Sequence, residues 1–403
     1  MKFQPSESAP VAFLSFVGYS FTVRFCKGLE MIYKSFKDIK LSRLGMGNMR
    51  LPSLGEDKWN SPIDYAESAR MIDEAMKGGV NYYDTAYVYQ NGDSERCVGE
   101  AMKRYPRDSF YLATKFNYRA NPDYKAVFAE QLERLQTDHI DFYLLHCMTE
   151  RNIDNYLNCG CIEFFEQMKK EGKITYFGFS SHAQPDTLRR FADAHKWDFA
   201  QIQMNYLDWE FSTTEEEYNI LTERNIPVIV MESVRGGRLS SLTPELDARL
   251  QEKQPGWSVS SWAFRWLMTH DNVLVMLSGM STMDQVKDNL RTFDKDNALT
   301  PELSSFLIDI AHEFKKGFTV PCTACRYCTP HCPMKLDIPS LLKVYNDYKY
   351  DRRWENNLKD MEADKLPSNC IGCGSCMEQC PQNIEIPTYM AKLSKLHETG
   401  KEE

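Results

Sequence analysis

The stretch Tyr124-Lys-Ala-Val-Phe-Ala-Glu-Gln-Leu-Glu-Arg-Leu135, followed by Ile140-Asp-Phe-Tyr-Leu-Leu-His-Cys147, shows the unit from which most of this chain is built. The first segment has the composition and periodicity of an amphipathic helix, and the second is a short apolar run typical of a buried strand. Pairs of this kind recur between residues 43 and 293. Eight such alternations predict an α/β fold in which parallel strands close into a (β/α)8 TIM barrel rather than an open sheet.

The predicted elements can be placed along the chain. We expect strands at Arg43–Met49, Asn81–Ala86, Phe110–Phe116, Ile140–Cys147, Ile174–Ser180, Phe199–Asn205, Pro227–Ser233 and Asn272–Gly279. We expect helices at Tyr65–Lys77, Ser94–Arg104, Tyr124–Leu135, Ile162–Lys170, Thr187–His195, Thr214–Arg224, Val259–Met268 and Met283–Phe293. A hairpin between Met31 and Lys40 would close the barrel floor, and a helix over Pro301–Lys316 would lead out of the barrel.

Two cysteine runs of identical spacing stand near the end of the chain, 48 positions apart. They read Cys322-x2-Cys325-x2-Cys328-x3-Cys332-Pro333 and Cys370-x2-Cys373-x2-Cys376-x3-Cys380-Pro381. A 4Fe-4S cluster needs four thiolates, and the fourth cysteine of such a run usually serves the other run's cluster. We therefore expect two 4Fe-4S clusters, one on Cys322, Cys325, Cys328 and Cys380 and the other on Cys370, Cys373, Cys376 and Cys332.

Zinc and disulfide bonds are the alternatives for these cysteines. Zinc prefers two paired ligand knuckles that close one tetrahedron, which a repeated three-plus-one run does not resemble. Disulfides need an oxidising compartment, and the other five cysteines show no paired framework. The cluster interpretation is favoured, and with it a reducing, cytoplasmic location.

The cysteine runs belong to an internal duplication, because residues 332–340 resemble residues 380–388. The 37 residues between Cys332 and Cys370 exceed the spacing of a compact bacterial ferredoxin, and Pro339 and Pro387 each open an apolar helical segment. We expect a small, mostly α-helical, ferredoxin-like domain over residues 317–403, after a barrel with its linker helix over 31–316. Residues 1–30 read as a loose extension or an over-long start before Met31.

Length and charge limit the remaining classes of function. The 403 residues suffice for one large domain and one small one. The formal net charge of -9, without a basic run, argues against nucleic acid or an anionic membrane as the main partner. No apolar stretch in the sequence reaches the ~20 residues of a membrane helix.

Four polar residues fall at or just after successive strand ends, where the working residues of such barrels stand: Asp84, Tyr89, Lys115 and His146. Each alone has a structural interpretation, such as a helix cap, a solvated lysine or a core histidine. Together they suggest a catalytic group. Because free tyrosine has a pKa of ~10, a neighbouring ammonium held by a carboxylate would lower that value. Tyr89 would then be the acid, Lys115 and Asp84 would tune it, and His146 would orient a carbonyl oxygen.

This arrangement resembles the aldo-keto reductase family, in the branch that carries a ferredoxin-like tail. The resemblance covers about residues 31–295 and rests on Asp84-Thr-Ala-x-x-Tyr89, Lys115, His146, Gly45-Met-Gly-Asn-Met and Gly172-Lys-Ile-Thr-Tyr-Phe-Gly-Phe-Ser180. It implies a nicotinamide cofactor bound without a Gly-rich turn. Residues matching the family's cofactor contacts are Asn48, Asp84, Ser180, Gln201, Gly279, Gln285 and Asn289.

Three positions depart from the family pattern. Ser181 stands where asparagine is usual, and Met231-Glu232-Ser233 replaces the run whose aromatic residue stacks on nicotinamide. The loop that often binds the 2'-phosphate offers Ser281, Thr282 and Asp284 instead of a basic residue, although Lys287 and Arg291 follow. We therefore expect NADH to bind at least as well as NADPH.

These observations predict an oxidoreductase that reduces a small carbonyl or related compound, with electrons from NAD(P)H or through the clusters. Nicotinamide passes a hydride and clusters pass single electrons; a flavin would reconcile the two, but no residue set demands one. A ferredoxin or another redox protein is the expected partner. The alternatives are an electron carrier or interaction protein with a non-catalytic barrel, and a plain reductase whose clusters are structural or oxygen-sensing.

Overall fold

A computed structural model of the chain describes residues 30–55, 61–295, 297–316, 319–351, 358 and 361–400. The extension predicted over residues 1–30 lies outside the described residues, apart from Glu30. Within the described ranges, no helix is both long and apolar enough to cross a membrane.

Eight parallel strands close into a barrel, which confirms the predicted fold. The strand order around the barrel follows the chain, and the last strand pairs with the first. The strand at Ile140–Met148 is an almost continuous buried apolar run, as expected for a parallel strand covered on both faces. The strands are β3 (Leu44–Gly47), β4 (Tyr82–Asp84), β5 (Tyr111–Phe116), β6 (Ile140–Met148), β7 (Ile174–Ser181), β8 (Phe199–Gln203), β9 (Val228–Met231) and β10 (Val273–Ser278).

Helices surround the strands and continue into the C-terminal region. In order they are α1 (Tyr65–Lys77), α2 (Asp93–Met102), α3 (Tyr124–Arg134), α4 (Ile153–Asn158), α5 (Cys161–Lys170), α6 (Pro185–Ala194), α7 (Tyr206–Phe211), α8 (Thr214–Glu223), α9 (Pro244–Lys253), α10 (Val259–Leu267), α11 (Met283–Thr292), α12 (Pro301–Lys315), α13 (Ile338–Asp351), α14 (Ser375–Gln379) and α15 (Ile386–Thr399). Short 3-10 turns lie at Asn48–Arg50, Tyr89–Gly92, Arg107–Ser109, Arg235–Gly237, Thr329–His331, Ala363–Lys365 and Pro367–Asn369.

The expected hairpin forms from β1 (Tyr33–Phe36) and β2 (Ile39–Ser42), which pair antiparallel. Its buried residues Phe36 and Leu41 join the apolar cluster inside the barrel, which includes Tyr82 and Phe142. The rings of Phe36 and Phe142 lie 5.8 Å apart. The hairpin therefore closes the amino-terminal end of the barrel and leaves the carboxyl end of the strands for the site.

Three helices that were not predicted, α4, α7 and α9, lie in loops of the barrel. Each follows a strand at the carboxyl end of the barrel and has at most ten residues. Helix α7 begins where the Asn205 side chain accepts hydrogen bonds from the backbone of Leu207 and Asp208. These loops are long enough to build the walls of a site.

The C-terminal region, here called the cysteine module, comprises the described residues from Thr319 onward. Its helices α13 and α15 pack together, and the rings of Tyr345 and Tyr389 lie 5.3 Å apart. The module has its own apolar core, separate from the barrel core, and two of the cysteines, Cys328 and Cys376, are buried in it. This arrangement confirms the expected small helical domain built around the two cysteine runs.

Candidate active site between the barrel and the cysteine module

The four predicted catalytic residues meet at the carboxyl end of the barrel. Asp84 ends β4, Lys115 and His146 lie near the ends of β5 and β6, and Tyr89 begins the turn after β4. The Lys115 ammonium donates to Asp84 Oδ1 at 2.5 Å and to the Thr85 carbonyl at 2.7 Å. Its Nζ atom lies 5.2 Å from the centre of the Tyr89 ring, and the Tyr89 and His146 rings are 5.8 Å apart.

The ion pair between Lys115 and Asp84 is fully enclosed, with side chains 0% and 4% exposed. Burial raises the pKa of Asp84 and lowers the pKa of Lys115, and their mutual attraction opposes both shifts. Gln201 also donates to the second oxygen of Asp84, at 3.2 Å. The Asp84 carboxylate is therefore held from two sides and fixes the ammonium beside Tyr89.

The pKa of Tyr89 lies well above its usual value, in the opposite direction to the lowering expected from the sequence. Burial is the main cause, and the negative charge of Asp84 adds to it. Hydrogen bonding from the Tyr327 hydroxyl is the contribution that lowers the pKa of Tyr89. The phenol is thus held protonated, the form that a proton donor needs.

His146 is neutral in this environment. Burial lowers the pKa of His146 well below its usual value, and the positive charges of Lys115 and His182 add to the shift. Its Nδ1 atom is buried and has no hydrogen-bond partner among the described residues. A neutral imidazole can direct a carbonyl oxygen by hydrogen bonding without competing with Tyr89 as an acid.

A cavity of about 420 Å³, here called the first cavity, extends from the predicted catalytic residues along the barrel rim. Tyr89, Asp84 and His146 line one part of it. Five of the seven residues predicted to contact a nicotinamide cofactor line it as well: Asp84, Gln201, Gly279, Gln285 and Asn289. Met231 and Glu232, which depart from the family pattern, also face this space.

The other two predicted cofactor contacts support the barrel backbone. Asn48 donates to the carbonyls of Met46, at 3.2 Å, and Asp84, at 3.0 Å. The Ser180 hydroxyl accepts from the Cys147 backbone at 2.8 Å. Both residues are buried and outside the lining of the first cavity. They hold the strand ends that carry Asp84 and His146.

A second cavity of about 390 Å³ lies on the other side of Tyr89. Met49, Tyr89, Cys325, Tyr327 and Pro381 line both cavities. The Tyr327 and His146 rings are 6.4 Å apart. Residues of the cysteine module therefore form part of the wall between the two spaces, next to Tyr89.

The eight cysteines fall into the two groups expected from crossed ligation. Cys332, Cys370, Cys373 and Cys376 line one small space. In the other group, burial raises the pKa of Cys325 well above its usual value, and Cys328, Cys322 and Cys380 add to the shift. Buried thiols in such groups become thiolates when cationic iron offsets their charge, so the residues fit 4Fe-4S clusters. Within the described ranges, no group of three or more His, Cys, Asp or Glu side chains is arranged so that it could hold a single metal ion.

Arginines of the barrel hold the module in place through its backbone carbonyls. Arg50 donates to Thr323 and Ala324, each at 3.1 Å, beside the first cysteine run. Arg151 donates to Met377 at 2.9 Å and to Glu378 at 3.0 Å, at the end of α14. Gln382 donates to Gln203 at 2.9 Å. These contacts seat the module over the carboxyl end of the barrel.

Three residues of this site, Tyr327, Arg50 and Glu232, are absent from the residues that the sequence singled out as functional. In the sequence, Tyr327 stands between Cys325 and Cys328, and Arg50 is one polar residue after a predicted strand. Neither position indicates a function. Glu232 was noticed only as a departure from the family pattern. Its place directly after Met231, which replaces the aromatic residue of the family pattern, was the one signal of a distinct role.

Comparisons with known proteins identify both parts of the chain. Residues 43–303 match the aldo/keto reductase family, and residues 321–385 match the 4Fe-4S dicluster domain. The chain therefore belongs to the aldo/keto reductase family and carries a C-terminal 4Fe-4S dicluster domain. It is an aldo-keto reductase-type oxidoreductase.

Individual relatives resemble the barrel region. The uncharacterized oxidoreductase YqkF of Bacillus subtilis is 30% identical over 285 residues, 63% of this chain and 88% of that protein. The NADH-specific methylglyoxal reductase of Escherichia coli is 25% identical over 320 residues, 67% of this chain and 97% of that protein. The holo form of aldo-keto reductase AKR11C1 from Bacillus halodurans has a TM-score of 0.57 at 28% identity, covering 71% and 96% of the two chains.

Proposed function

We propose that this protein reduces a small carbonyl compound with a hydride from NAD(P)H. The observation that carries the proposal is that Asp84, Tyr89, Lys115 and His146 meet beside a cavity that Gly279, Gln285 and Asn289 also line. The cavity reaches the ends of both β4 and β10, the two strands that flank β3 in the barrel. We divide the chain accordingly into a catalytic barrel with its linker helix, 31–316, and a cluster-binding domain, 317–403.

Each catalytic residue has a distinct task in this reaction. When bound, NAD(P)H supplies a hydride to the carbonyl carbon. The Tyr89 hydroxyl donates a proton to the carbonyl oxygen, and the neutral His146 imidazole orients that oxygen. Lys115, fixed by Asp84, stabilises the negative charge left on Tyr89 when its proton leaves.

NADH is the preferred cofactor in this proposal. The loop after β10 places Ser281 against the Arg50 backbone, where its hydroxyl donates at 2.7 Å. Asp288 lines the first cavity, and its neighbour Arg291 pairs with it at 3.2 Å. A carboxylate at this position opposes a 2'-phosphate. The name of the E. coli relative, an NADH-specific enzyme, agrees with this preference.

Electron delivery through the clusters is a second candidate, favoured by the position of Cys325. This predicted cluster ligand lines both cavities. A cluster bound there would supply single electrons next to the site, with a ferredoxin or another redox protein as their source and a flavin as a candidate mediator. We place the protein in the cytoplasm, where reduced thiols and iron-sulfur clusters persist. The simpler alternative is that the clusters are structural or oxygen-sensing.

Anaerobic assays separate these candidates. The purified protein is mixed with methylglyoxal as a probe carbonyl and either NADH or NADPH, and the loss of reduced nicotinamide absorbance is followed. We expect turnover with NADH at least equal to that with NADPH. A tenfold preference of equilibrium binding for NADPH, about 1.4 kcal/mol, would contradict the cofactor choice.

The same protein is then titrated with NADH, NADPH and reduced ferredoxin while the cluster absorbance is recorded. Bleaching by ferredoxin, with reoxidation by the carbonyl in the absence of nucleotide, would establish the second candidate. Failure to bind either nucleotide or to reduce any member of a panel of small aldehydes and ketones would overturn the first.

A further inference from the structure

Glu232 is held at the mouth of the barrel in an unusual conformation. It follows β9 directly, and its φ of 59° places it in the left-handed region. Its carbonyl accepts from the Asn205 side chain at 3.1 Å and from the Arg235 backbone at 2.8 Å. A left-handed conformation costs a residue with a side chain on the order of 1 kcal/mol or more, so these contacts fix Glu232 in place.

The Glu232 side chain faces the first cavity near Tyr89. The residue lines that cavity, and its negative charge is close enough to raise the pKa of Tyr89. The residue as a whole is partly exposed, but its Oε2 atom is buried and has no hydrogen-bond partner within the described ranges. A buried carboxylate oxygen without a partner is costly, and the cavity is the side from which a partner can come.

Two arginines lie near Glu232. The Arg50 stem passes Gly279, where a Cβ atom would be 3.3 Å from Arg50 Cδ, and its guanidinium reaches Gly236, where a Cβ atom would be 3.1 Å from Arg50 Nη2. Arg235 donates to Asp208 at 2.8 Å, which offsets its charge. Burial raises the pKa of Glu232, while Arg50 and Arg235 oppose that shift. The arginines thus favour the charged form of a carboxylate that lines the cavity near Tyr89.

An oxidised nicotinamide dinucleotide has a cationic ring, whereas the reduced form has an uncharged ring, and both carry the same anionic diphosphate. A carboxylate at the ring end of the cavity therefore distinguishes the two forms. The aromatic residue that Met231 replaces, next to Glu232, would have stacked on both forms.

Resting on the proposed function, we propose that the Glu232 carboxylate faces the nicotinamide end of the cofactor and favours its oxidised, cationic form. In the reduction, the cofactor would supply a hydride, that is one proton with two electrons, to the carbonyl carbon, and the Tyr89 proton would complete the alcohol. Positive charge develops on the ring during this step, and a fixed carboxylate stabilises it. Glu232 thereby makes the bound cofactor a stronger hydride donor.

Equilibrium binding to the full-length, cluster-containing protein tests this inference. The affinities for NAD+ and NADH are measured anaerobically by protein fluorescence for the wild type, Glu232→Gln and Glu232→Asp. We expect Glu232→Gln to weaken NAD+ about tenfold and to change NADH less than about twofold, since only the charge is removed. Glu232→Asp, which keeps the charge, should retain most of the preference for NAD+.

A matched control is Glu217→Gln, because Glu217 is another largely buried carboxylate, hydrogen-bonded by Thr213 and outside both cavities. It should leave both affinities unchanged. Equal weakening of NAD+ and NADH in Glu232→Gln, or no change in either, would overturn the inference. If the wild type binds neither nucleotide, the proposed function itself fails, and the two failures are thus distinguishable.

Discussion

The barrel and the cysteine module hold their functional side chains by different means. In the barrel, side chains fix one another: Asp84 accepts from Lys115 and Gln201, and Lys115 also donates to a backbone carbonyl. In the module, the backbone positions the thiols. Ala324 and Arg326, on either side of Cys325, both have left-handed φ angles of 54° and 62°. The Ala324 N–H donates to the Cys322 sulfur at 3.4 Å.

This difference indicates which part depends on a bound group. The barrel is supported by a large apolar core and by the enclosed ion pair between Lys115 and Asp84. The module has a small core, and of its eight predicted cluster ligands only Cys328 and Cys376 are buried, so bound iron would be what holds the eight thiols together. We therefore expect the module to depend on its clusters for stability, and the barrel to remain folded without them.

The largest effect is expected from Tyr89→Phe, which removes the proton donor from an otherwise intact barrel site. General acid catalysis typically contributes ~10²- to 10⁴-fold, so turnover should fall within that range while NADH binding changes little. Steady-state kinetics and fluorescence binding measure the two quantities. Tyr87→Phe is the matched control, since the Tyr87 hydroxyl pairs with Glu130 at 2.9 Å and lines neither cavity. An effect below threefold, with chemistry rate-limiting, would place the proton donor elsewhere.

Cluster content tests the module. The wild type should contain about eight irons and eight sulfides, and Cys332→Ser should lose about half of each. Adding Cys370→Ser should remove no further iron, because both cysteines belong to one group, whereas adding Cys328→Ser should remove the rest. Iron and sulfide analysis of anaerobically reconstituted protein decides this. The reverse pattern would refute crossed ligation, and stoichiometric zinc without sulfide would refute the clusters.

The contact between the barrel and the cysteine module can be tested at Gly236 and Gly237, two neighbouring glycines that both have left-handed φ angles. A Cβ on Gly236 would lie 1.9 Å from the Thr323 carbonyl of the module, whereas a Cβ on Gly237 would meet nothing within 4 Å. Both alanine variants bear the backbone strain, and Gly236→Ala adds overpacking of about 1–3 kcal/mol. It should displace the first cysteine run and lower turnover about tenfold, with Gly237→Ala near wild type. Equal turnover in the two variants would show that this contact between barrel and module does not affect the geometry of the site.

The smallest effect is expected from Tyr327→Phe, which removes one hydroxyl from the module side. That hydroxyl lowers the pKa of Tyr89, so its loss raises the pKa and makes Tyr89 a weaker acid. One hydrogen bond of about 1 kcal/mol corresponds to about fivefold in turnover. Iron content should stay unchanged, which separates this effect from cluster loss. Unchanged turnover, measured where chemistry limits the rate, would show that Tyr327 lines the cavities but does not affect proton donation by Tyr89.

Much of the barrel could be predicted because its strands are apolar runs with helices between them. The predicted Tyr65–Lys77 helix agrees with α1 at both ends, and the strand around His146 differs only by one residue at its end. The meeting of Asp84, Tyr89, Lys115 and His146 could be predicted because a strand's carboxyl end is a position readable from sequence. Helix α7 was missed because six residues after a strand give too little periodicity, even with a capping Asn205.

The junction of the two parts could not be predicted in the same way. Tyr327 reaches Tyr89 only because the module folds back onto the barrel, and nothing in its local sequence encodes that contact. The same applies to Arg50 and the Thr323 carbonyl, which are 273 residues apart. The expected lowering of the pKa of Tyr89 was wrong because burial of the phenol raises that pKa, and the extent of burial cannot be read from the sequence.

We infer that the cluster-bearing module is part of the catalytic site. The most direct test compares NADH-dependent carbonyl turnover by the full-length protein before and after its clusters are removed anaerobically with a chelator, with circular dichroism as a check that the barrel stays folded. Hydride transfer itself needs no iron. Our account predicts that the cluster-free protein keeps its barrel and loses at least about tenfold in turnover, because Cys325 and Tyr327 no longer complete the cavity walls. Full turnover by a folded, cluster-free protein would contradict it.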